Sequence, residues 1–282
     1  MQPSPDILVI GSGPGGAVTA TCLAEAGHAV LMVEEGANLP LDSAPHFSRE
    51  EIVQKYRNAG IGVAFGNAKL AFAEGRCVGG GSEINRGLYH RTPADVLSLW
   101  RMAWRVEALA PEELTAHFEH CETIAQVQYL PGLAPAFSQR LHQGAQGLGW
   151  ASMEVPRLFA YGPKWNLGNP GRKQSMTETF VPRFLAAGGQ LLADARAVRL
   201  VRESGRWRVT VEHRPAAGAY RLIEISVPTV FVACGATGTP ALLRRSGITH
   251  NVGNQLRFHP MVKVVAKFRD EVNLPGELEP VH

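Results

Sequence analysis

The sequence predicts an α/β fold, a Rossmann-like domain built on a parallel sheet, from three observations. Ile7 to Ile10 is an apolar run that leads straight into Gly11-Ser12-Gly13-Pro14-Gly15-Gly16. A helical pattern follows at once, with Val18, Leu23 and Ala24 spaced for one buried face. A second apolar run, Ala29 to Val33, ends at the acids Glu34 and Glu35.

Each element has a physical reason. A parallel strand covered on both faces reads as unbroken apolar sequence. A helix that starts directly after such a strand aims its first backbone N–H groups at the turn, which favours an anion there. Gly11 permits the tight turn, Gly13 lets the backbone approach a pyrophosphate, and Gly16 allows close packing of helix on strand. Ser12, Pro14 and Gly15 complete the loop and belong with it to the candidate binding site. An acid about 20 residues beyond the glycines is placed to accept the hydroxyls of an adenosine ribose. Glu34 and Glu35 both answer that description. A plain βαβ turn would share the glycines, but not the ordered set of strand, loop, helix, strand and acid. A ribose 2′-phosphate is disfavoured, because Glu34 would repel it.

Composition narrows the class further. At 282 residues the chain has room for one large domain or two. A hydrophobic content of 45% and a charged content of 19% describe an ordinary globular protein. The net charge of +3 is small and carries no long basic run, so neither nucleic acid nor a membrane surface is implied as partner. Cys22, Cys77, Cys121 and Cys234 form no C-x-x-C pair, which disfavours a metal site and suits free thiols in a reducing compartment. The first strand begins too early to leave room for a signal peptide. No apolar run reaches the roughly 20 residues that span a bilayer. The expectation is a soluble, cytoplasmic protein.

Farther along, Gly36 to Pro45 reads as a loop, and Ser48 with Glu51 three residues on reads as a helix start. That helix is expected to run to about Asn58 and stop at Gly60. Then comes Gly75-Arg76-Cys77-Val78-Gly79-Gly80-Gly81-Ser82-Glu83-Ile84-Asn85, followed by Tyr89-His90-Arg91. Four small residues in a row are unsuited to the interior of a strand or helix. They suit a loop whose backbone lies against something flat or anionic.

This stretch resembles the first signature of the glucose–methanol–choline (GMC) oxidoreductases, FAD-dependent enzymes that oxidise alcohols. Gly81 and Ser82 stand where the family usually has two serines, and Cys77 where glycine is usual. The resemblance implies that Gly80, Gly81 and Ser82 cross the FAD pyrophosphate, with Gly79 in the same cofactor site. It implies that Asn85 lies beside the flavin ring and that Arg76 belongs to the same cofactor site. It also implies a Rossmann-like FAD-binding domain with a β-meander, plus part of a second, α+β substrate domain.

Residues 92 to 190 read mainly as helices. Thr92-Pro93-Ala94-Asp95 opens one, Pro111 another to about Gln126, and Pro135 to Gly147 forms a third with Phe137, Leu141 and Leu148 at helical spacing. His117, His120 and His142 lack clustered ligand partners, as a metal site would need. Trp100, Trp104 and Trp150 read as core or domain-interface residues. After a loop from Tyr161 to Gly171, a helix runs through Leu185 to Gly188-Gly189.

From Gln190 the pattern turns β, with runs at Leu191, Ala197 to Val201, Trp207 to Val211 and Leu222 to Val227. By resemblance, the backbone at Val198 pairs with the adenine edge. Val230 to Cys234 is another continuous apolar strand, and Gly235 to Ile248 is similar to the family's second signature, departing at Thr249. Gly235 would turn the chain beside the first strand, with Pro240 in the first helical turn. Val252 to Pro260 resembles a third family motif, with Gln255 and Phe258 as departures, and brings His259 near the flavin. Met261 to Phe268 reads as a strand leaving for the substrate domain.

The organisation expected is an FAD-binding domain in two parts, residues 1–92 and 190–260. A substrate-domain segment, 93–189, lies between them, and 261–282 starts that domain's sheet. Oxidation of a CH–OH group needs a base for the hydroxyl proton. No histidine spacing promotes His90, His213, His250 or His259 to that role, so the catalytic base is expected beyond His282. The chain then reads as a truncated, cofactor-binding half for a small-molecule alcohol, with a second chain as one source of the carboxy-terminal half. Two alternatives stand beside it: a non-catalytic FAD-holding subunit, and a different FAD- or NAD-dependent oxidoreductase sharing only the first motif.

Overall fold

The computed structural model describes residues 5–66, 68–163, 171–215, 218–258 and 265–272. The chain forms two compact units, Met1–Asn85 with Ser175–His259, and Arg86–Gln174 with Pro260–His282. The first unit opens with β1 (Ile7–Ile10), α1 (Pro14–Glu25), β2 (Val30–Val33), α2 (Arg49–Lys55), β3 (Gly62–Ala64), β4 (Leu70–Phe72) and α3 (Gly81–Ile84). The second holds α4 (Ala94–Trp104), α5 (Pro111–Ile124), β5 (Val127–Gln128), α6 (Ala136–Gly147), β6 (Arg157–Ala160) and β7 (Arg172–Lys173). The first unit then resumes with α7 (Phe180–Ala186) and β8 (Gln190–Leu192). It continues through β9 (Ala195–Glu203), β10 (Arg206–His213), β11 (Arg221–Val227), β12 (Thr229–Val232) and α8 (Gly235–Arg245).

A parallel sheet in the order β12-β1-β2-β8 organises the first unit. Its register sets Ile7 beside both Thr229 and Val30, so β1 is flanked by strands on each side. All four residues of β1 are buried, as its unbroken apolar sequence requires. One sheet face, with Leu8, Ile10 and Val33, joins a core with Leu200, Val209, Val211 and Val227 of the meander and Leu242 of α8. The meander β9-β10-β11 is antiparallel, with a register shift between Thr210 and Val211. Helix α1 packs against β1, β2 and α7, and the Thr21 hydroxyl donates to the Phe180 carbonyl at 3.0 Å. The fold class is therefore α/β and Rossmann-like, as the opening stretch predicted.

Several local expectations change. The buried residues of α1 are Gly16, Ala17, Ala20, Thr21 and Ala24; Val18 and Leu23 are only partly buried. The helix lies so close to the sheet that only small side chains fit beneath it. Ser48 does cap α2, its hydroxyl accepting from the Glu51 amide at 3.1 Å, but the helix stops at Lys55. Tyr56 turns extended and bridges to Gly75, and Arg57–Ala59 makes a separate 3₁₀ turn. The second glycine loop is not wholly irregular, because α3 begins at Gly81 within it. Pro240 lies inside α8 rather than in its first turn, since the helix already starts at Gly235.

The second unit carries its helices where Pro93, Pro111 and Pro135 announce them. Glu122 of α5 accepts from Tyr89 Oη at 2.8 Å and from Arg91 through two nitrogens at 2.6 Å. Trp100, Trp104 and Trp150 are exposed and do not form a core, and Leu141 and Leu148 are exposed on or beside α6. Of the strand expected over Met261 to Phe268, residues 261–264 lie outside the described set and 265–268 are not extended into a sheet. Among the described residues no helix is long and apolar enough to cross a membrane.

Phe184 of α7 is fully buried. Phe184→Ala should lower the unfolding free energy by about 3–5 kcal/mol, the usual cost of an emptied aromatic site. Leu222→Ala, at a position 61% exposed, should change it by no more than about 0.5 kcal/mol. Urea denaturation of both variants checks the contrast.

Candidate functional site

A cleft of about 900 Å³ opens at the carboxyl ends of β12, β1 and β2, the edge where open α/β sheets bind ligands. Gly11, Gly13, Pro14 and Gly15 line it from the first loop, and Gly80, Gly81 and Asn85 from the second. Glu34 and Glu35 line it from the end of β2, Ala195 to Ala197 from β9, and Gly235 with Thr237 from the start of α8. Gly13 is the N-cap of α1 and Pro14 its first residue, so unpartnered first-turn N–H groups border the cleft.

The glycines divide into two kinds. Gly11 has a φ of +101°, and a Cβ there would collide with the Ala233 carbonyl; a Cβ at Gly16 would collide with the Gly11 carbonyl. These two serve the protein's own packing. Gly13 is different, because its Cβ would find nothing nearer than the Gly80 Cα at 4.0 Å. Gly15 and Gly81 have nothing within 4 Å at all. Here bare backbone borders open space, the form of cradle that a pyrophosphate occupies. Gly80, at φ +53°, would bring a Cβ within 3.0 Å of Gly13 Cα, so the two loops stand back to back.

Glu34 joins those loops. It is buried, and its Oε2 accepts from the Ser12 amide at 3.0 Å and from Ser12 Oγ at 2.8 Å. Its Oε1 accepts from the Gly36 amide at 3.0 Å. Ser12 Oγ in turn accepts from the Gly79 amide at 3.1 Å, so the acid, the first loop and the second loop form one chain of bonds. Burial raises the Glu34 pKa above the ordinary carboxylate value, while the Gly36 and Ser12 hydrogen bonds oppose the shift.

Glu35 has another role. It accepts from Arg57 at 3.1 Å and from Arg76 at 3.2 Å, and Arg57 reaches Glu74 at 3.3 Å. Glu74 also accepts from the Thr237 hydroxyl. This belt ties the end of β2 to the first turn of α8. Sequence reasoning missed Arg57, Glu74 and Thr237, whose partners lie 22 and 163 residues away and form no motif.

Other predicted residues sit around the cleft in distinct ways. Ser82 points inward, its hydroxyl donating to the Gly79 carbonyl at 2.7 Å and accepting from the Met176 amide at 3.0 Å. Arg76 is joined to the site through Glu35, which accepts from its Nε at 3.2 Å. Val198 does not line the cleft; Ala197 does, and the Val198 carbonyl accepts from Arg245 Nε at 3.2 Å. His259 lies outside the described residues. Among the described residues no histidine lines the cleft, and no group of three or more metal-ligating side chains occurs. Burial pushes the thiols of Cys77 and Cys234 up to about 12.

The GMC oxidoreductase family model matches residues 6–261. The chain belongs to the GMC oxidoreductase family. A relative is an uncharacterised GMC-type oxidoreductase of Sinorhizobium fredii, 37% identical, aligned over 97% of this chain and 55% of its own length. A long-chain-alcohol oxidase of Arabidopsis thaliana is 28% identical, over 96% of this chain and 38% of its own. The chain thus spans about half the length, or less, of these curated relatives. Among solved structures, pyridoxine 4-oxidase from Mesorbium loti superposes with a TM-score of 0.68 at 17% identity, covering 87% of this chain and 52% of its own. A fungal aryl-alcohol oxidase gives 0.63 at 17% identity, over 88% and 48%. Both share the fold.

Glu34→Ala leaves the Ser12 and Gly36 amides without their acceptor, and should cost about 1–3 kcal/mol of stability in urea denaturation. Thiol labelling at pH 8 should modify the exposed Cys22 readily and spare Cys77 until the chain unfolds, because only the thiolate reacts. Mass mapping of the labelled peptides reads the outcome.

Proposed function

We propose that this chain holds FAD as the cofactor-binding portion of an oxidoreductase acting on the CH–OH group of a small-molecule alcohol. The observation that carries this reading is the bare backbone at Gly13, Gly15 and Gly81, which borders the cleft with room that a side chain would fill. Membership of the GMC family supports the same cofactor. The relatives' names, long-chain-alcohol oxidase and aryl-alcohol oxidase, support the substrate class.

In this reading, the N–H groups opening α1 and the Gly80-Gly81 backbone hold the pyrophosphate. Glu34 accepts a hydroxyl of the adenosine ribose through the Oε1 that already takes the Gly36 amide. The Glu35–Arg57–Glu74 belt keeps Arg57 and the stretch from Ala73 to Gly75 at the cleft. Asn85 borders the flavin end. When bound, FAD supplies a hydride acceptor at the flavin N5. The hydroxyl proton of the alcohol needs a base within hydrogen-bond reach. Among the described residues no histidine borders the cleft, so we assign that base to residues outside the described set, in a longer chain or a second chain.

The test is the visible spectrum of the purified chain supplied with FAD, before and after anaerobic addition of an alcohol panel. The expected result is a flavin band that no alcohol bleaches. Bleaching would overturn the assignment of the base, because a complete active site would then be present. Gly13→Val should abolish the band while the apo chain keeps a thermal midpoint close to the wild type's, since a Cβ there comes no nearer to protein than ordinary contact with Gly80 Cα at 4.0 Å. A variant that stays fully yellow would overturn the cofactor assignment.

A further inference from the structure

Arg245 has no task in the cofactor assignment, yet its side chain lines the cleft. It stands in the last turn of α8, with its Nε donating to the Val198 carbonyl of β9 at 3.2 Å. That bond is not required to dock α8 on β9. Ser246 already does so, its Oγ accepting from the Leu200 amide at 2.9 Å and donating to the Leu242 carbonyl at 2.8 Å. Leu242 is buried in the core beneath. What the Arg245 bond adds is orientation, because it fixes the guanidinium along β9 at the wall of the cleft. Arg57, by contrast, spends its charge between Glu35 and Glu74.

Beside Arg196 and Leu242, that wall carries small residues. Ala241 lies four positions before Arg245 and so on the same helix face, and Ala195 and Ala197 come from β9. Methyl groups leave a slot for a flat ring, and a guanidinium plane stacks on aromatic faces as an ammonium cannot. The slot also adjoins the ribose acid, since the Ala195 amide donates to the Glu34 carbonyl at 2.7 Å. A dinucleotide whose ribose hydroxyls meet Glu34 therefore turns its base toward Ala197, Ala241 and Arg245.

We propose that Arg245 is a cofactor-selecting residue, its guanidinium stacking on the adenine ring in the slot lined by Ala197 and Ala241. The inference rests on the FAD reading and deepens it, by naming the side chain that favours an adenine dinucleotide over a flavin mononucleotide. If Arg245 were only a tie between α8 and β9, its loss would weaken the whole unit and every ligand alike.

The full 282-residue chain and two variants are titrated calorimetrically with FAD, ADP and FMN. Arg245→Met keeps the length but loses charge and plane; Arg245→Lys keeps the charge and loses the plane. Arg245→Met should bind FAD and ADP about 5- to 30-fold more weakly, the effect of losing a partly desolvated cation–ring contact, and Arg245→Lys should recover only part of that loss. FMN binding and the apo thermal midpoint should stay at wild-type values. Unchanged ADP and FAD affinities in both variants, with the wild type binding normally, overturn the role of Arg245. Full rescue by lysine overturns the stacking, and an equal loss for FMN with a lowered midpoint assigns Arg245 to the tie alone. A wild-type chain that binds neither FAD nor ADP overturns the cofactor reading itself, an outcome distinct from the others.

Discussion

The buried Glu34 carboxylate is the interaction on which the cleft depends. Taking a carboxylate out of water is costly unless its oxygens are filled, and three donors from Ser12 and Gly36 fill them. Charge-assisted bonds to backbone amides are the stronger kind, so the acid holds the loop that bends around it. Ser12 passes the constraint to Gly79, 67 residues along the chain. A single side chain thereby sets the spacing of the two glycine loops between which a dinucleotide would lie. Removing it would leave two amides unpaired and the loops without their common anchor.

Around that anchor, glycine does two jobs that sequence alone does not separate. Gly11 and Gly16 are glycine because neighbouring carbonyls occupy the space a Cβ would need. Gly13, Gly15 and Gly81 meet no protein atom closer than 4.0 Å, so the protein's own packing does not demand glycine there. Bare backbone there leaves the room that the proposed pyrophosphate would take. The same logic applies to α1, whose buried residues after Gly16 are alanines and a threonine, small enough for close packing on the sheet and on α7.

The belt from Arg76 through Glu35, Arg57 and Glu74 to Thr237 works at another level. Its members are partly exposed, so each pair by itself adds little to stability. Together they join the end of β2, the ribbon at residues 56 and 75, and the first turn of α8. Electrostatics here organises the rim of the cleft, while the apolar sheet organises its floor.

By itself the sequence determined the parallel sheet, the order of its first strands and the place of the glycine loops. Those features follow from local periodicity and from residue types that suit few backbone conformations, as at Ile7 to Gly16 and at Val230 to Gly235. It also presented Glu34 and Glu35 as equals, since both end the same strand. Only the tertiary structure distinguished them, by burying one against Ser12 and pairing the other with Arg57 and Arg76. It likewise brought Ala195 to Ala197, and not Val198, to the cleft. Contacts such as Glu74 with Thr237 join residues far apart in the chain, and no local pattern encodes them. They exist only once the sheet has brought its strand ends together.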